Sequence, residues 1–143
     1  MKPLFIALFA FFVLGSPQWT TDMNKAKVDA AAANKMIVLN FSGSDWCGPC
    51  IKLKQEVLDS PEFLKYAETE LVLVRADFPR QKKNQLDAKQ TAQNEMLAEK
   101  YNPKGKFPLV VLINAQGKAI KEWEGYPKNM TPASLIAEIK NLK

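Results

Sequence analysis

The stretch that decides the fold reads MIVLNFSGSDWCGPC over residues 36–50. Its first part, 36–41, is mostly apolar and does not alternate with polar residues, a pattern that predicts a strand buried on both faces. Loop-forming residues follow at 42–45, and a helical apolar pattern begins directly afterwards. The two cysteines of the chain, Cys47 and Cys50, are therefore expected where a buried strand passes into a helix.

The spacing of these cysteines suits redox chemistry. Two intervening residues allow the first turn of a helix to bring the two sulfurs within disulfide distance, and Pro49 suits that turn. Cys47 would lie at the helix N-terminus, where free N–H groups and the helix dipole favour the thiolate, so it is the candidate nucleophile. Cys50, one turn further in, is the candidate resolving cysteine. The alternatives are an inert disulfide, which would close only a very short loop, and half of a zinc site.

The composition narrows the function classes. A chain of 143 residues, 24% charged and 47% hydrophobic, predicts one globular domain. Because the sequence has no histidine and only two cysteines, Ser-His and Cys-His catalysis, His-ligated metals and a closed zinc site are excluded. The formal net charge is +5, but the basic residues are scattered and lack the clustered pattern of a nucleic-acid surface. No nucleic-acid partner is expected.

An apolar run (LFIALFAFFVL) occupies residues 4–14, behind a lysine at position 2. It is shorter than the ~20 residues that a membrane-spanning helix needs and has the length of a signal-peptide core. We therefore expect 1–15 to be a signal peptide and 16–143 to be the folded domain. This predicts export to the periplasm or cell envelope. The alternative is an uncleaved leader that anchors the protein to the membrane.

Beyond the leader, strands and helices are expected to alternate. Apolar and β-branched runs predict strands at 36–41, 71–76, 109–113 and 118–123. Helices are expected before, between and after them, in the order α-β-α-(α)-β-α-β-β-α, which predicts an α/β sandwich with a mixed sheet. Val28 and Met96 are placed on the buried faces of their helices. The polar, basic segment 78–90 interrupts the pattern. Its run of Arg80, Lys82 and Lys83 is interpreted as a solvated face, with partner docking as the alternative.

With these residues in view, the chain resembles the thioredoxin superfamily, in particular exported bacterial thioredoxin-like proteins. The resemblance rests on the WCGPC pentapeptide after a buried strand, the Phe107-Pro108 pair before the third strand, the glycines around the last hairpin and the closing helix. It covers about residues 21–143. It implies a thioredoxin-like three-layer α/β/α sandwich with a central mixed sheet of about four strands, plus an inserted polar segment before the third main helix.

The resemblance also implies a function. It indicates a thiol–disulfide oxidoreductase whose redox centre is the Cys47–Cys50 pair itself, with no cofactor and no metal. Trp46, Gly48 and Pro49 would support the active site and flank the substrate groove. Pro108 would be a cis-proline facing the dithiol, and the backbone of Phe107 would pair with the substrate peptide.

The Gly-Pro dipeptide between the cysteines is similar to that of reducing thioredoxins, which favours a protein-disulfide reductase. An envelope disulfide oxidase or isomerase is the close alternative, and a non-catalytic binding module is the alternative from another class. The expected partners are disulfide-containing exported proteins and an upstream electron donor in the membrane or envelope. The protein is expected to be a monomer that meets the membrane only if its leader stays uncleaved.

One position departs from the family pattern. Thioredoxins commonly carry a buried Asp on the strand before the motif, where it assists proton transfer from the resolving cysteine, whereas this chain has Asn40. Arg75 falls near the partly buried lysine of the family. We expect Asp77, Asp45 or Glu56, or else water, to replace the missing base.

Overall fold

The computed structural model describes residues 19–143, so the predicted signal peptide at 1–15 lies outside the described residues. Helices and strands alternate in the predicted order. They are α1 (Met23–Ala33), β1 (Met36–Ser42), α2 (Gly48–Leu53), a π-helical segment (Lys54–Leu58), α3 (Pro61–Glu70), β2 (Leu71–Asp77), a 3-10 turn (Lys82–Asn84), α4 (Ala88–Tyr101), β3 (Leu109–Ile113), β4 (Ala119–Glu124) and α5 (Pro132–Lys140).

The helix starts follow from local sequence chemistry. The N-cap side chain of each of four helices accepts a hydrogen bond from a backbone N–H of the first turn, which otherwise has no partner within the helix. These caps are Asp22 for α1, Ser60 for α3, Asp87 for α4 and Thr131 for α5. Proline follows Ser60 and Thr131 directly, at a position where a missing N–H costs nothing.

The four strands form one mixed sheet in the order β2-β1-β3-β4. β1 is parallel to β2 and antiparallel to β3, and β3 is antiparallel to β4. This arrangement confirms the predicted fold. The register places Asn40 of β1 between Arg75 of β2 and Val110 of β3.

Two hydrophobic layers cover the sheet. On one face, Val38 and its neighbours pack against residues of α2, the π-helical segment, α3 and α5. On the other face, Leu39 and Phe41 pack against α1 and α4. Both central strands are buried on both faces, as their mostly apolar sequences predict, and each fully buried large apolar side chain contributes about 1.5–3 kcal/mol. Because successive side chains of a strand point to opposite faces, Asn40 shares the α2 side with Val38.

Two core assignments made from the sequence were wrong. Val28 is 67% exposed and Met96 is 65% exposed. The helices turn other residues inward: α1 buries Met23, Ala26 and Ala30, and α4 buries Asn94, Leu97 and Tyr101. Across residues 19–143, no helix combines the length and the apolar character needed to cross a membrane.

Candidate active site around the Cys47–Cys50 pair

Cys47 and Cys50 are joined by a disulfide at the start of α2, with their Cα atoms 5.2 Å apart. Cys47 is the N-cap residue, and its sulfur accepts a hydrogen bond from the Cys50 N–H at 3.3 Å. The two cysteines are 6% and 3% exposed, whereas Gly48 and Pro49 between them lie at the surface. The pair is therefore a redox-active candidate sheltered under an exposed turn. Breaking it would place the Cys47 thiolate at a helix N-terminus.

Trp46 is held in place beside Cys47 by three neighbours. Its indole Nε1 donates a hydrogen bond to the carbonyl of Phe78 at 2.7 Å. Its ring meets the ring of Phe107 edge to face, with centroids 5.4 Å apart. A Cβ atom added to Gly43 would lie only 2.3 Å from Trp46 Cε2, so the indole fits against this glycine because it has no side chain. Trp46 is thus a fixed, half-buried wall next to the disulfide.

Phe107 and Pro108 precede β3, and the peptide bond between them is cis, as the family resemblance implies. Pro108 is buried, and its carbonyl accepts the N–H of Gly125 at 2.9 Å. The Phe107 ring packs edge to face against Phe78 as well as Trp46. The structure therefore brings Trp46 and Phe107 together into one aromatic group that also includes Phe78, a residue that the sequence did not single out.

Two open cavities border the CxxC turn. One, of about 550 Å³, is lined by Gly48, Pro49, Lys52, Glu56, Tyr126 and Lys128. The other, of about 610 Å³, is lined by Trp46, Phe78, Pro79, Arg80, Gly105 and Phe107. The predicted groove residues are thereby divided between two sides of the site, with Gly48 and Pro49 on one side and Trp46 and Phe107 on the other.

Asn40 lies on the α2 side of the sheet and is 2% exposed. Its Nδ2 atom is 3.5 Å from the carbonyl oxygens of Phe41 and Leu109, the long limit of a hydrogen bond. The neighbouring Arg75 lies with Nη2 3.8 Å from Asp59 Oδ1. Burial lowers the pKa of Arg75, and the carboxylates of Asp59 and Asp77 oppose this effect. The α2 side of the sheet therefore carries a neutral amide with a partly buried cation beside it.

The three carboxylates considered as substitutes for the missing acid all have hydrogen-bond donors of their own. Asp77 accepts from Ser44 N and Oγ at 2.9 and 2.6 Å. Glu56 accepts from the hydroxyl of Tyr126, which raises the pKa of that tyrosine. Asp45 accepts from three groups of the 78–84 segment, described below. Each carboxylate thus has a structural role, and which of them takes part in proton transfer stays a prediction.

Asp45 ties the inserted segment to the active-site loop. Its two carboxylate oxygens accept the backbone N–H groups of Arg80 and Gln81, each at 2.9 Å, and the side-chain amide of Asn84 at 3.0 Å. These bonds, led by the one from the Arg80 N–H, hold the pKa of Asp45 below its usual range. The segment is therefore docked against the loop before Cys47 through its backbone. The side chains of Arg80, Lys82 and Lys83 remain exposed, as predicted for a solvated face. The one signal of this docking in the sequence is Asp45, a hydrogen-bond acceptor directly before the WCGPC motif.

No cluster of three or more His, Cys, Asp or Glu side chains that could hold a metal ion occurs within residues 19–143.

Comparison with known proteins agrees with this geometry. The Thioredoxin-like domain family matches residues 23–141, nearly all of the described fold. The chain belongs to this family. A solved structure described as "DsbH Oxidoreductase" superimposes on the thioredoxin-like domain with a TM-score of 0.79 and 29% sequence identity, covering 99% of this chain and 94% of the other. The family and fold predicted from the sequence are thereby confirmed.

Two curated relatives come from Chlamydia pneumoniae. "Disulfide bond reductase DsbH" is 41% identical over 87 residues, which cover 61% of this chain and 51% of the relative. "Thioredoxin-related protein DsbJ" is 31% identical over 102 residues, which cover 71% of this chain and 28% of the relative. The match thus spans about half of the first relative and about a quarter of the second. Their names agree with the thiol–disulfide oxidoreductase activity predicted for the thioredoxin-like domain.

Proposed function

We propose that this protein reduces disulfide bonds in other polypeptides through the Cys47–Cys50 pair. The observation that carries the proposal is the pairing of these two cysteines at the N-terminus of α2, in a thioredoxin-like domain with Trp46 and Phe107 beside them. A relative named as a disulfide bond reductase supports the same activity.

The two thiols of the pair supply both electrons for the reduction of one substrate disulfide. The Cys47 thiolate attacks one sulfur of the substrate disulfide, forming a mixed disulfide and releasing the other substrate sulfur as a thiolate, which takes up a proton. The Cys50 thiol then loses its proton and attacks Cys47, which releases the second substrate sulfur and forms the Cys47–Cys50 disulfide. Two electrons pass to the substrate. A thiol or dithiol donor must return them before the next cycle, and the cysteine pair serves as redox centre in place of a separate cofactor.

Phe107 offers the substrate a place to bind. Among residues 19–143, neither its N–H nor its carbonyl has a hydrogen-bond partner, whereas Pro108 next to it bonds to Gly125. A substrate segment that lies beside Phe107 can pair with these two groups in the manner of a strand. Its disulfide would then be presented next to Trp46 and Cys47.

The direction of the reaction is proposed to be reduction, on the basis of the Gly48-Pro49 dipeptide and of the relative's name. Disulfide oxidation or isomerisation would use the same residues at a higher reduction potential. A non-catalytic binding module would leave Cys47 and Cys50 without a role.

The proposal includes export. Residues 1–15 would be removed as a signal peptide, and the domain of 16–143 would act as a monomer in the periplasm or cell envelope. There it would meet disulfide-containing exported proteins and an electron donor in the membrane or envelope. We expect the mature chain from an envelope fraction to begin shortly after residue 14. A mass that still includes Met1 and Lys2 would show instead that the leader is retained.

Reduction of insulin disulfides by the purified protein, with dithiothreitol as electron donor, tests the activity. Cys47→Ser should abolish the protein-dependent rate. Cys50→Ala should also lose most of its turnover. When the reduced variant is freed of dithiothreitol, which would cleave the product, and then mixed with insulin, it should accumulate mixed disulfides through Cys47, because the resolving thiol is missing. Mixed disulfides that form with the Cys47→Ser variant but not with Cys50→Ala would show that Cys50 is the nucleophile and Cys47 the resolving cysteine. A rate equal to that of dithiothreitol alone would contradict the proposed function.

A further inference from the structure

The 78–84 segment places a cation at the entrance to the aromatic side of the site. The guanidinium carbon of Arg80 lies 3.7 Å from the centroid of the Trp46 ring. At this distance the planar guanidinium stacks on the indole, an arrangement that combines cation–π attraction with close packing. The positive charge of the exposed Arg80 thus lies over Trp46, the residue directly before the nucleophile Cys47.

Both partners in this stack are fixed by other contacts. The backbone of Arg80 donates to Asp45 Oδ1 at 2.9 Å, and Trp46 donates to Phe78 at 2.7 Å and packs against Gly43. The backbone that carries the guanidinium and the indole beneath it are therefore both held by contacts outside the stack. Ordering a long side chain in advance reduces the entropy that binding would otherwise cost.

The charge of Arg80 is not neutralised by a neighbour. Among the residues that the structure describes, no carboxylate oxygen lies within 4 Å of its guanidinium nitrogens. The carboxylate of Asp45 is occupied by backbone and amide N–H groups. Arg80 is also the only charged residue that lines the 610 Å³ cavity, whose other lining residues are Trp46, Phe78, Pro79, Gly105 and Phe107.

A cavity with aromatic and apolar walls and a single ordered guanidinium suits a peptide segment that carries a carboxylate. Guanidinium groups bind carboxylates through two parallel charge-assisted hydrogen bonds, and stacking on Trp46 leaves the N–H edge of Arg80 free to make them. On the opposite side of the CxxC turn, Lys52 and Lys128 line the other cavity, where the carboxylate of Glu56 is bonded to Tyr126. The charge around the site therefore favours acidic over basic segments.

We propose that Arg80 makes the enzyme selective for polypeptide substrates that have an Asp or Glu close to the cysteine whose disulfide is attacked. This inference rests on the proposed reductase function and adds the class of substrate to it. Asp45 contributes as a positioning residue, because its bonds to the 78–84 segment hold Arg80 over Trp46.

Three synthetic peptides test the selectivity. Each has one intramolecular disulfide, and they differ only in a Glu, Gln or Lys next to the cysteine. For the wild-type protein at low salt, we expect kcat/KM for the Glu peptide to exceed that for the Gln peptide about threefold to fivefold. The Lys peptide should be reduced more slowly than the Gln peptide. Raising the ionic strength should shrink these ratios, since both groups are at the surface.

Substitutions at Arg80 then test whether this residue causes the selectivity. Arg80→Gln should bring the Glu-to-Gln ratio close to one, and Arg80→Glu should invert it. Lys89→Gln is the matched control, because it also removes one positive charge but lies on α4, away from the aromatic cavity, and it should keep the wild-type ratio. An unchanged ratio in Arg80→Gln, or an equal loss in Lys89→Gln, would overturn the inference while the reductase function stands. Failure of the wild-type protein to reduce any of the three peptides would overturn the proposed function, and the selectivity with it.

Discussion

Asn40 is a neutral side chain at the position that the family resemblance aligns with the buried carboxylic acid of thioredoxins. The structure leaves this position almost fully buried on the face that α2 covers, with only two long contacts from its amide. Its neighbour Arg75 lies toward Asp59 and stacks on Trp19, with its guanidinium carbon 4.6 Å from the ring centroid. Asp59 already shares the charge of this arginine, whose Nε and Nη2 atoms are buried without a hydrogen-bond partner.

We predict that Asn40→Asp makes stability depend on pH. Burial disfavours the ionised carboxylate and raises its folded-state pKa above the unfolded value of about 3.9. The unfolded chain then releases the proton first, so the free energy of unfolding should fall relative to wild type as the pH rises from about 4 toward 7. Urea unfolding at several pH values measures this. Asn40→Leu, which adds no charge, should show a constant difference, and a constant difference for Asn40→Asp would contradict the account.

Gly43 is important because the Trp46 indole packs directly against it. We predict that Gly43→Ala displaces the Trp46 indole, because the new Cβ would lie 2.3 Å from Cε2 and 2.6 Å from Nε1. Strain of this kind costs about 1–3 kcal/mol, and the bond to Phe78 should weaken. Thermal unfolding and the NMR signal of the Trp46 indole N–H measure both effects. Gly48→Ala is the control, since its added Cβ meets no atom within 4 Å and should not lower stability.

At the scale of whole elements, the docked 78–84 segment is the least expected feature. Asp45 and Arg80 are 35 positions apart, and the contact between them joins an active-site loop to a segment that is polar and basic after Phe78 and Pro79. Local patterns indicate a loop there but do not show where the loop lies. The caps at Asp22, Ser60 and Thr131 were predictable because each depends on residues a few positions away.

The docking of this segment should depend on pH. Hydrogen bonds led by the Arg80 N–H lower the pKa of Asp45, so the bonds persist at neutral pH and are lost as the pH falls through that lowered value. We predict that the Trp46 indole N–H signal shifts in acid, with a midpoint below the value of about 3.9 for an unperturbed aspartate. Asp45→Asn should remove this step. A midpoint at or above the unperturbed value would mean that the bonds to Asp45 do not stabilise its ionised form.

For the molecule as a whole, the order of elements, the mixed sheet and the pairing of Cys47 with Cys50 could all be predicted from the sequence. The central strands are mostly apolar, with Asn40 as the polar exception in the middle of β1, and the motif lies at a strand-to-helix junction. Which helix faces turn inward was harder to predict. Val28 and Met96 are apolar but lie on the solvent-facing sides of their helices. The buried face of α1 is formed mainly by alanines, and that of α4 includes the polar side chain of Asn94.

The aromatic side of the site also depended on tertiary contacts. Trp46, Phe78 and Phe107 lie far apart along the chain and meet only when the loops after β1 and β2 and the segment before β3 come together. The sequence indicated Trp46 and Phe107 through the family resemblance but gave no sign of Phe78 or of the Arg80 stack. These contacts distinguish the site of this chain from a bare CxxC motif.

The reduction potential of the Cys47–Cys50 pair tests the central claim most directly. It is measured by equilibrating the protein with glutathione or dithiothreitol buffers of known ratio and quantifying the oxidised fraction. A pair that donates electrons to protein disulfides should have a potential near that of thioredoxin, about −270 mV. A potential of about −180 to −120 mV, in the range of isomerases and strong oxidants, would contradict a reductase and assign the thioredoxin-like domain to disulfide formation or isomerisation.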